Sequence, residues 1–144
     1  MSDGKSAPGS LRKDRVRMAI LVKRRKDMSY DEFADYWLNH HAKVFMSTRI
    51  VHKCLLRYEQ MHISSSTAKA WNELKGIPIT GFDGIAMFEA ESYQDIQEMW
   101  DSEEYQTVIY PDELQFVDHE SSQVLPLDLW LGFDHTRFLT KAKL

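Results

Sequence analysis

Apolar and polar positions recur with two different periods along this chain, and the switches between them mark its elements. From Val16 to Val22 the period is two, with Met18, Ile20 and Val22 on one face and Ala19 and Leu21 on the other, which predicts a strand buried on both sides. From Ser29 to Phe45 the period lengthens to three and four. Phe33, Trp37, His40, His41 and Val44 share one broad helical face, while Asp31, Asp35 and Asn39 fall elsewhere. Ser29 followed by Glu32 has the spacing of a capping box, so the helix opens there. A second strand is expected over Cys54 to Ile63, with Leu56, Tyr58, Gln60 and His62 on one face and Leu55, Arg57, Glu59 and Met61 on the other. A third runs from Gly84 to Glu91. Ser92 and Asp95 repeat the capping signal before a second helix with Ile96, Met99 and Trp100 as its core stripe. Glu103 to Asp118 continues in helical pieces interrupted by Pro111, and Gln123 to Phe133 closes the pattern as a strand with Leu125, Leu127, Leu129 and Leu131 on one face.

The order β-α-β-β-α-β predicts an α+β domain of the ferredoxin-like type, an antiparallel sheet with helices on one face. Its second face is also apolar, so a second copy of the chain is expected to cover it, giving a homodimer. The folded part is expected over residues 15–136. Residues 1–14 have almost no apolar side chains and read as a disordered tail, and 137–144 as a short C-terminal tail. His52 reads as part of a polar turn after the first helix. The connection from Ser64 to Pro78 is long for a hairpin and suits a lid or wall of a site.

Composition narrows the function more by exclusion than by assertion. A chain of 144 residues suits one domain with a real core. A single cysteine, Cys54, leaves no intrachain disulfide and no Cys-rich zinc site, and fits the cytoplasm. No run is long enough for a transmembrane helix. Residues 5–26 hold nine Lys or Arg, whereas 76–136 hold none and fourteen Asp or Glu. The basic stretch has no interleaved aromatics and overlaps a strand, so nucleic acid is not an expected partner. No histidine pair has metal-ligand spacing, and no phosphate loop or Ser or Cys nucleophile motif is present, so neither metal nor cofactor is expected.

What remains is acid–base chemistry. Two histidines on the apolar face of the first helix are suited to moving protons at neutral pH, the plain alternative being hydrogen-bonded core residues. By angle His40 lies nearer the centre of that face. If Tyr58, Gln60 and His62 lie beneath the helix, they converge with it on one pocket. Asp83, Asp112 and Asp118 read as cap and turn residues, although a carboxylate of this kind can also orient a histidine.

Phe33, Tyr36, Trp37, His41 and Ala42 form the pattern F-x-x-Y-W-x-x-x-H-A, which resembles the first helix of EthD-domain proteins. The stretches LVKRRKDMSYDEF, LLRYEQMH, DGIAMFEAESYQDIQEMW and PDELQFVDHESS follow in the same order as in fungal members, so the resemblance spans residues 16 to 130. It implies a dimeric α+β barrel and a cofactor-independent lyase of fungal aromatic polyketide biosynthesis, a dehydratase or decarboxylase of a fused-ring intermediate. It favours His41 over His40 as the proton carrier. His62 and Tyr58 are then the partners in catalysis, and Trp37, His40, Gln60 and Phe33 the substrate-binding residues. A decarboxylase needs a cation for its substrate's carboxylate; Arg57 is the one strand arginine available, and it lies on the face opposite Tyr58, which tilts the expectation towards dehydration. A cyclase, a cofactor-free oxygenase of the same fold and a non-catalytic binding protein are the alternatives.

Overall fold

A computed structural model describes residues 11–63 and 65–136. Strand β1 (Val16–Val22) leads into helix α1 (Tyr30–Tyr36), a π-helical turn (Trp37–His41), α2 (Ala42–Ser47) and α3 (Arg49–Cys54). Strand β2 (Arg57–His62), helix α4 (Ser65–Lys75) and strand β3 (Gly84–Ala90) follow. Then come α5 (Tyr93–Asp101), a second π-helical turn (Tyr105–Ile109), α6 (Tyr110–Glu113) and strand β4 (Gln123–Leu127).

The four strands form one antiparallel sheet in the order β2-β3-β1-β4, the ferredoxin-like arrangement. Its register fixes the two faces. Tyr58, Phe88, Met18 and Pro126 lie in one cross-strand row, and Gln60, Ala86, Ile20 and Val124 in the next. These rows face the helices, because Ala86 and Phe88 are buried against Trp37, Phe45, Met99 and Tyr105 in the main core. The reverse face carries Glu59, Met87, Ala19 and Leu125 in one row and Met61, Ile85, Leu21 and Gln123 in another. Met61 and Leu125 are exposed there in the single chain. Phe33, Trp37, Phe45 and Phe116 are almost wholly buried, and each contributes roughly 1.5–3 kcal/mol of burial free energy.

Both helices carry the expected serine cap, the half of the capping box in which the serine hydroxyl oxygen accepts. Ser29 Oγ accepts the Glu32 amide at 3.1 Å, and Ser92 Oγ accepts the Asp95 amide at 3.2 Å. Gly84 has no side chain for a packing reason: a Cβ there would lie 2.5 Å from Trp37 Cζ3 and 2.9 Å from the Met61 carbonyl oxygen. The sheet therefore admits the Trp37 indole directly onto β3.

Several expectations need correction. The first helix is not one regular helix from Ser29 to Phe45, because five residues of it are wound more widely. The segment read as a polar turn around His52 is helix α3, capped by Thr48 in an extended conformation. The second strand begins at Arg57 rather than Cys54, since Cys54 still belongs to α3, where it is buried. The last strand ends at Leu127, beyond which Trp130 makes an isolated bridge to Leu11. That bridge, with the Arg12 amide donating to the Leu129 carbonyl at 2.8 Å, makes residues 11–14 part of the fold rather than of a tail. Residues 1–10 and 137–144 lie outside the described residues.

Candidate active site

The two π-helical turns shape the site. In the first, the Ala42 amide donates to the Trp37 carbonyl, five residues back rather than four. One extra residue per turn retards the helix by roughly 100° relative to an α-helix. His40, inward at a constant α-helical angle, is turned outward for this reason. With the wide turn, Trp37, His41, Ala42 and Phe45 are buried, while the His40 side chain is 56% exposed. The Trp37 carbonyl also accepts a hydrogen bond from Gln60 Nε2 at 3.1 Å. The second turn buries Tyr105 and Ile109 in the same way.

Between these turns and the sheet lies a cavity of about 280 Å³. Ile20, Ala86, Phe88 and Val124 from the sheet form its floor, with Trp37, Phe45, Trp100 and Phe116 as walls. Five titratable side chains line it: His41, Tyr58, Tyr105, Glu113 and His119. Among the described residues that line it there is no Lys or Arg.

His41 is 5% exposed, with Nδ1 2.8 Å from Asp112 Oδ2. Asp112 Oδ1 accepts from the Tyr36 hydroxyl at 2.5 Å and lies 3.2 Å from His40 Nδ1. A carboxylate so placed fixes the proton on Nδ1 of His41 and leaves Nε2 as the ring's acceptor. Burial pushes the imidazole below its ordinary pKa; the Asp112 hydrogen bond and the nearby Glu113 charge oppose that shift, while His40 adds to it. A neutral, oriented imidazole in an apolar cavity is equipped to take a proton.

Tyr58 lies on the cavity floor. Its hydroxyl oxygen accepts from Gln60 Nε2 at 2.9 Å, which leaves the O–H free to donate. Burial, with the Glu113 charge adding to it, pushes the phenol up to about 12, so it remains a donor at any working pH. Gln60 does not reach the cavity itself; it braces Tyr58 and the Trp37 carbonyl. His62 is also outside it, exposed at the end of β2, hydrogen-bonded to Gln60 Oε1 at 2.8 Å and packed on the Trp37 ring at 4.5 Å. The strand-face trio is thus a series in which Tyr58 alone meets the cavity, and the expectation of His62 as a catalytic residue is not carried by its position. Phe33 is fully buried beneath Trp37 and is core rather than wall. His40 stacks on Tyr36 at 4.5 Å on the outer surface, away from the position expected of a substrate-binding residue.

Asp112 reads from the sequence as a turn residue, and no motif there singles out Glu113, Tyr105 or His119. Glu113 Oε1 accepts from the Tyr105 hydroxyl, and Glu113 Oε2 lies 3.0 Å from His119 Nε2. Burial, reinforced by the Glu113 charge, raises the Tyr105 phenol well above its ordinary value. Arg57 is exposed and paired with Glu59, on the face away from the cavity. Among the described residues no group of three His, Cys, Asp or Glu is placed to hold a metal ion, and no helix is long and apolar enough to cross a membrane.

Comparison with known proteins agrees with this geometry at the level of the fold. The EthD domain model matches residues 25–120. An ethyl tert-butyl ether D (EthD) family protein from Bacillus halodurans C-125 superposes with a TM-score of 0.54 at 14% identity, covering 78% of this chain and 96% of that one. A DABB family protein with a ferredoxin-like fold from Mesorhizobium loti MAFF303099 gives 0.51 at 12% identity, covering 80% and 94%. A dimeric protein of unknown function and ferredoxin-like fold from Bacteroides fragilis NCTC 9343 gives 0.53 at 11% identity, covering 82% and 97%. No curated protein matches the chain.

Proposed function

The chain belongs to the EthD domain family, and from that premise we propose that it is a cofactor-independent lyase, removing water from a neutral fused-ring aromatic polyketide intermediate by histidine acid–base catalysis. The observation that carries this reading is the His41–Asp112 pair, set in the wall of an aromatic cavity that no described Lys or Arg lines. The polyketide class comes from the resemblance to fungal members and is supported by the shape and chemistry of the walls.

His41 Nε2 takes the proton next to a ring ketone, and Asp112 stabilises the imidazolium that forms. The Tyr58 hydroxyl donates to the ketone oxygen as it gains enolate charge, in surroundings too dry to screen the contact. Loss of the β-hydroxyl as water then completes the ring's conjugation. Decarboxylation is the weaker reading, because a substrate carboxylate would enter beside Glu113 with no fixed cation to meet it.

The reading includes a homodimer. Leu21, Ile85, Met87, Leu125 and Leu127 share the sheet face that the helices leave open, and the Bacteroides fragilis relative with this fold is dimeric.

Mass spectrometry of candidate hydroxy-ketone polyketides, incubated with and without the protein, tests the reaction. Loss of one water, abolished by His41→Gln, is expected. Loss of carbon dioxide or gain of an oxygen atom would replace this reading with a decarboxylase or an oxygenase. Tight binding with no mass change would replace it with a carrier.

A further inference from the structure

Asp112 and Glu113 are consecutive residues of α6, yet their carboxylates meet different histidines: Asp112 meets the buried His41 and, on the outer surface, His40, whereas Glu113 meets His119. Resting on the dehydration reading above, we propose that His119, held by Glu113, is the catalytic acid of the reaction, the group that delivers a proton to the departing hydroxyl.

The two histidines differ in their access to water. His41 is buried, and its proton count is set by the dry wall around it. His119 is the one exposed residue among the titratable side chains lining the cavity. It also lines an open surface trough with Arg25, Lys26, Asp118 and Glu120, so its ring stands between the cavity and water. A proton it gives up is replaced from solvent without crossing the cavity. Glu113 fixes the ring through Nε2 and is itself fixed by the Tyr105 hydroxyl, which leaves Nδ1 of His119 to reach a substrate oxygen.

The step balances. The Cα–H bond breaks and its proton goes to His41 Nε2. The electron pair passes through the enolate to form the new C=C bond as the Cβ–O bond breaks. The oxygen leaves with its own hydrogen and the proton from His119, as one water. His119 then takes a proton from solvent and His41 returns one, so no oxidant or cofactor enters.

The test separates proton removal from water loss. The probe is 3-hydroxy-1-tetralone, a neutral aromatic β-hydroxy ketone that yields 1-naphthol on dehydration, studied in D2O. Deuterium entering at C2 reports the His41 step, and 1-naphthol reports the whole reaction, each after subtraction of the uncatalysed rate. In His119→Gln and Glu113→Gln, naphthol formation is expected to fall about a hundredfold while deuterium exchange persists. In His41→Gln both are expected to be lost. A merely structural role for His119 would depress exchange and elimination together, and that result, or undiminished elimination in both variants, overturns the proposal. Because exchange is itself a measure of an intact site, a misfolded variant cannot pass for a positive result. Wild-type protein that neither exchanges nor eliminates overturns the dehydration reading and this inference with it, a failure visible before any variant is made.

Discussion

Asp112 and His41, 71 residues apart in sequence, are joined at 2.8 Å across the interface of two helical segments that are both wound out of α-geometry nearby. The carboxylate has a second anchor in Tyr36, one helical turn before His41, so the imidazole is held by an element that is itself held.

His41→Gln should lower turnover about a hundredfold or more, since glutamine keeps polarity but cannot titrate. Asp112→Asn should lower it roughly tenfold to a hundredfold with the fold retained, because the ring loses its fixed tautomer rather than its presence. Steady-state kinetics alongside circular dichroism decide the matter; a fully active, folded His41→Gln protein would remove the base from the scheme. His40→Ala, on the outer surface, should change turnover little.

The pH profile carries a sign. Burial lowers the His41 pKa, and a base must be deprotonated, so kcat/KM should fall on the acid side with a midpoint below the usual histidine value near 6.5. The groups facing it are Asp112 and Glu113, which raise its pKa, and His40, which lowers it. Asp112→Asn removes an opposing influence, and the acid limb should move to still lower pH. A limb above the ordinary histidine range would mean that the titrating group is not His41.

Tyr58→Phe should cost about tenfold or more in kcat, with little change in the acid limb, if its hydroxyl supports a developing oxyanion. Because burial holds the phenol near 12, wild-type turnover should show no loss from tyrosine ionisation up to about pH 10. Gln60→Leu frees the same hydroxyl from its brace and should give a milder defect in kcat than in the Phe variant.

Gly84→Ala tests packing rather than chemistry. The added Cβ meets the Trp37 ring on one side and the Met61 carbonyl on the other, and only the ring can move. A loss of roughly 1–3 kcal/mol in urea unfolding is expected, with a change in tryptophan fluorescence. An unchanged midpoint would show that Trp37 is held less firmly than its burial indicates.

For the dimer, sedimentation at micromolar concentration should give twice the chain mass of 16.9 kDa. Met87→Lys on the open sheet face should give a monomer. A wild-type monomer would require another covering for Leu125 and its neighbours.

The sheet and both helix starts were legible because they depend on local rules. Ser29 and Ser92 cap through residues three positions on, and the strands alternate with the period that the pleat imposes. The identity of the inward histidine was not legible from periodicity, because a wide turn breaks the constant angle that periodicity assumes; only the resemblance pointed to His41. The carboxylates were hidden for a different reason. Asp112 and Glu113 follow Pro111 in a short helical turn, where acidic residues are ordinary first-turn company, and nothing local says that each will meet a histidine from a distant or looped segment. Tyr58 was visible on its strand face, whereas His62 shares that face but runs past the end of the cavity, a matter of strand length that alternation cannot register.

The wide turn at Trp37–His41 has a consequence for how relatives should be aligned. It acts as an insertion of one residue that leaves both flanks in phase with the core. Deleting Leu38 or Asn39, both exposed, would restore regular winding and still present the same imidazole to Asp112. A relative with two rather than three residues between its tryptophan and the end of that turn would therefore carry the equivalent histidine one position earlier. Gap placement at this turn, rather than residue count from the tryptophan, decides which histidines correspond.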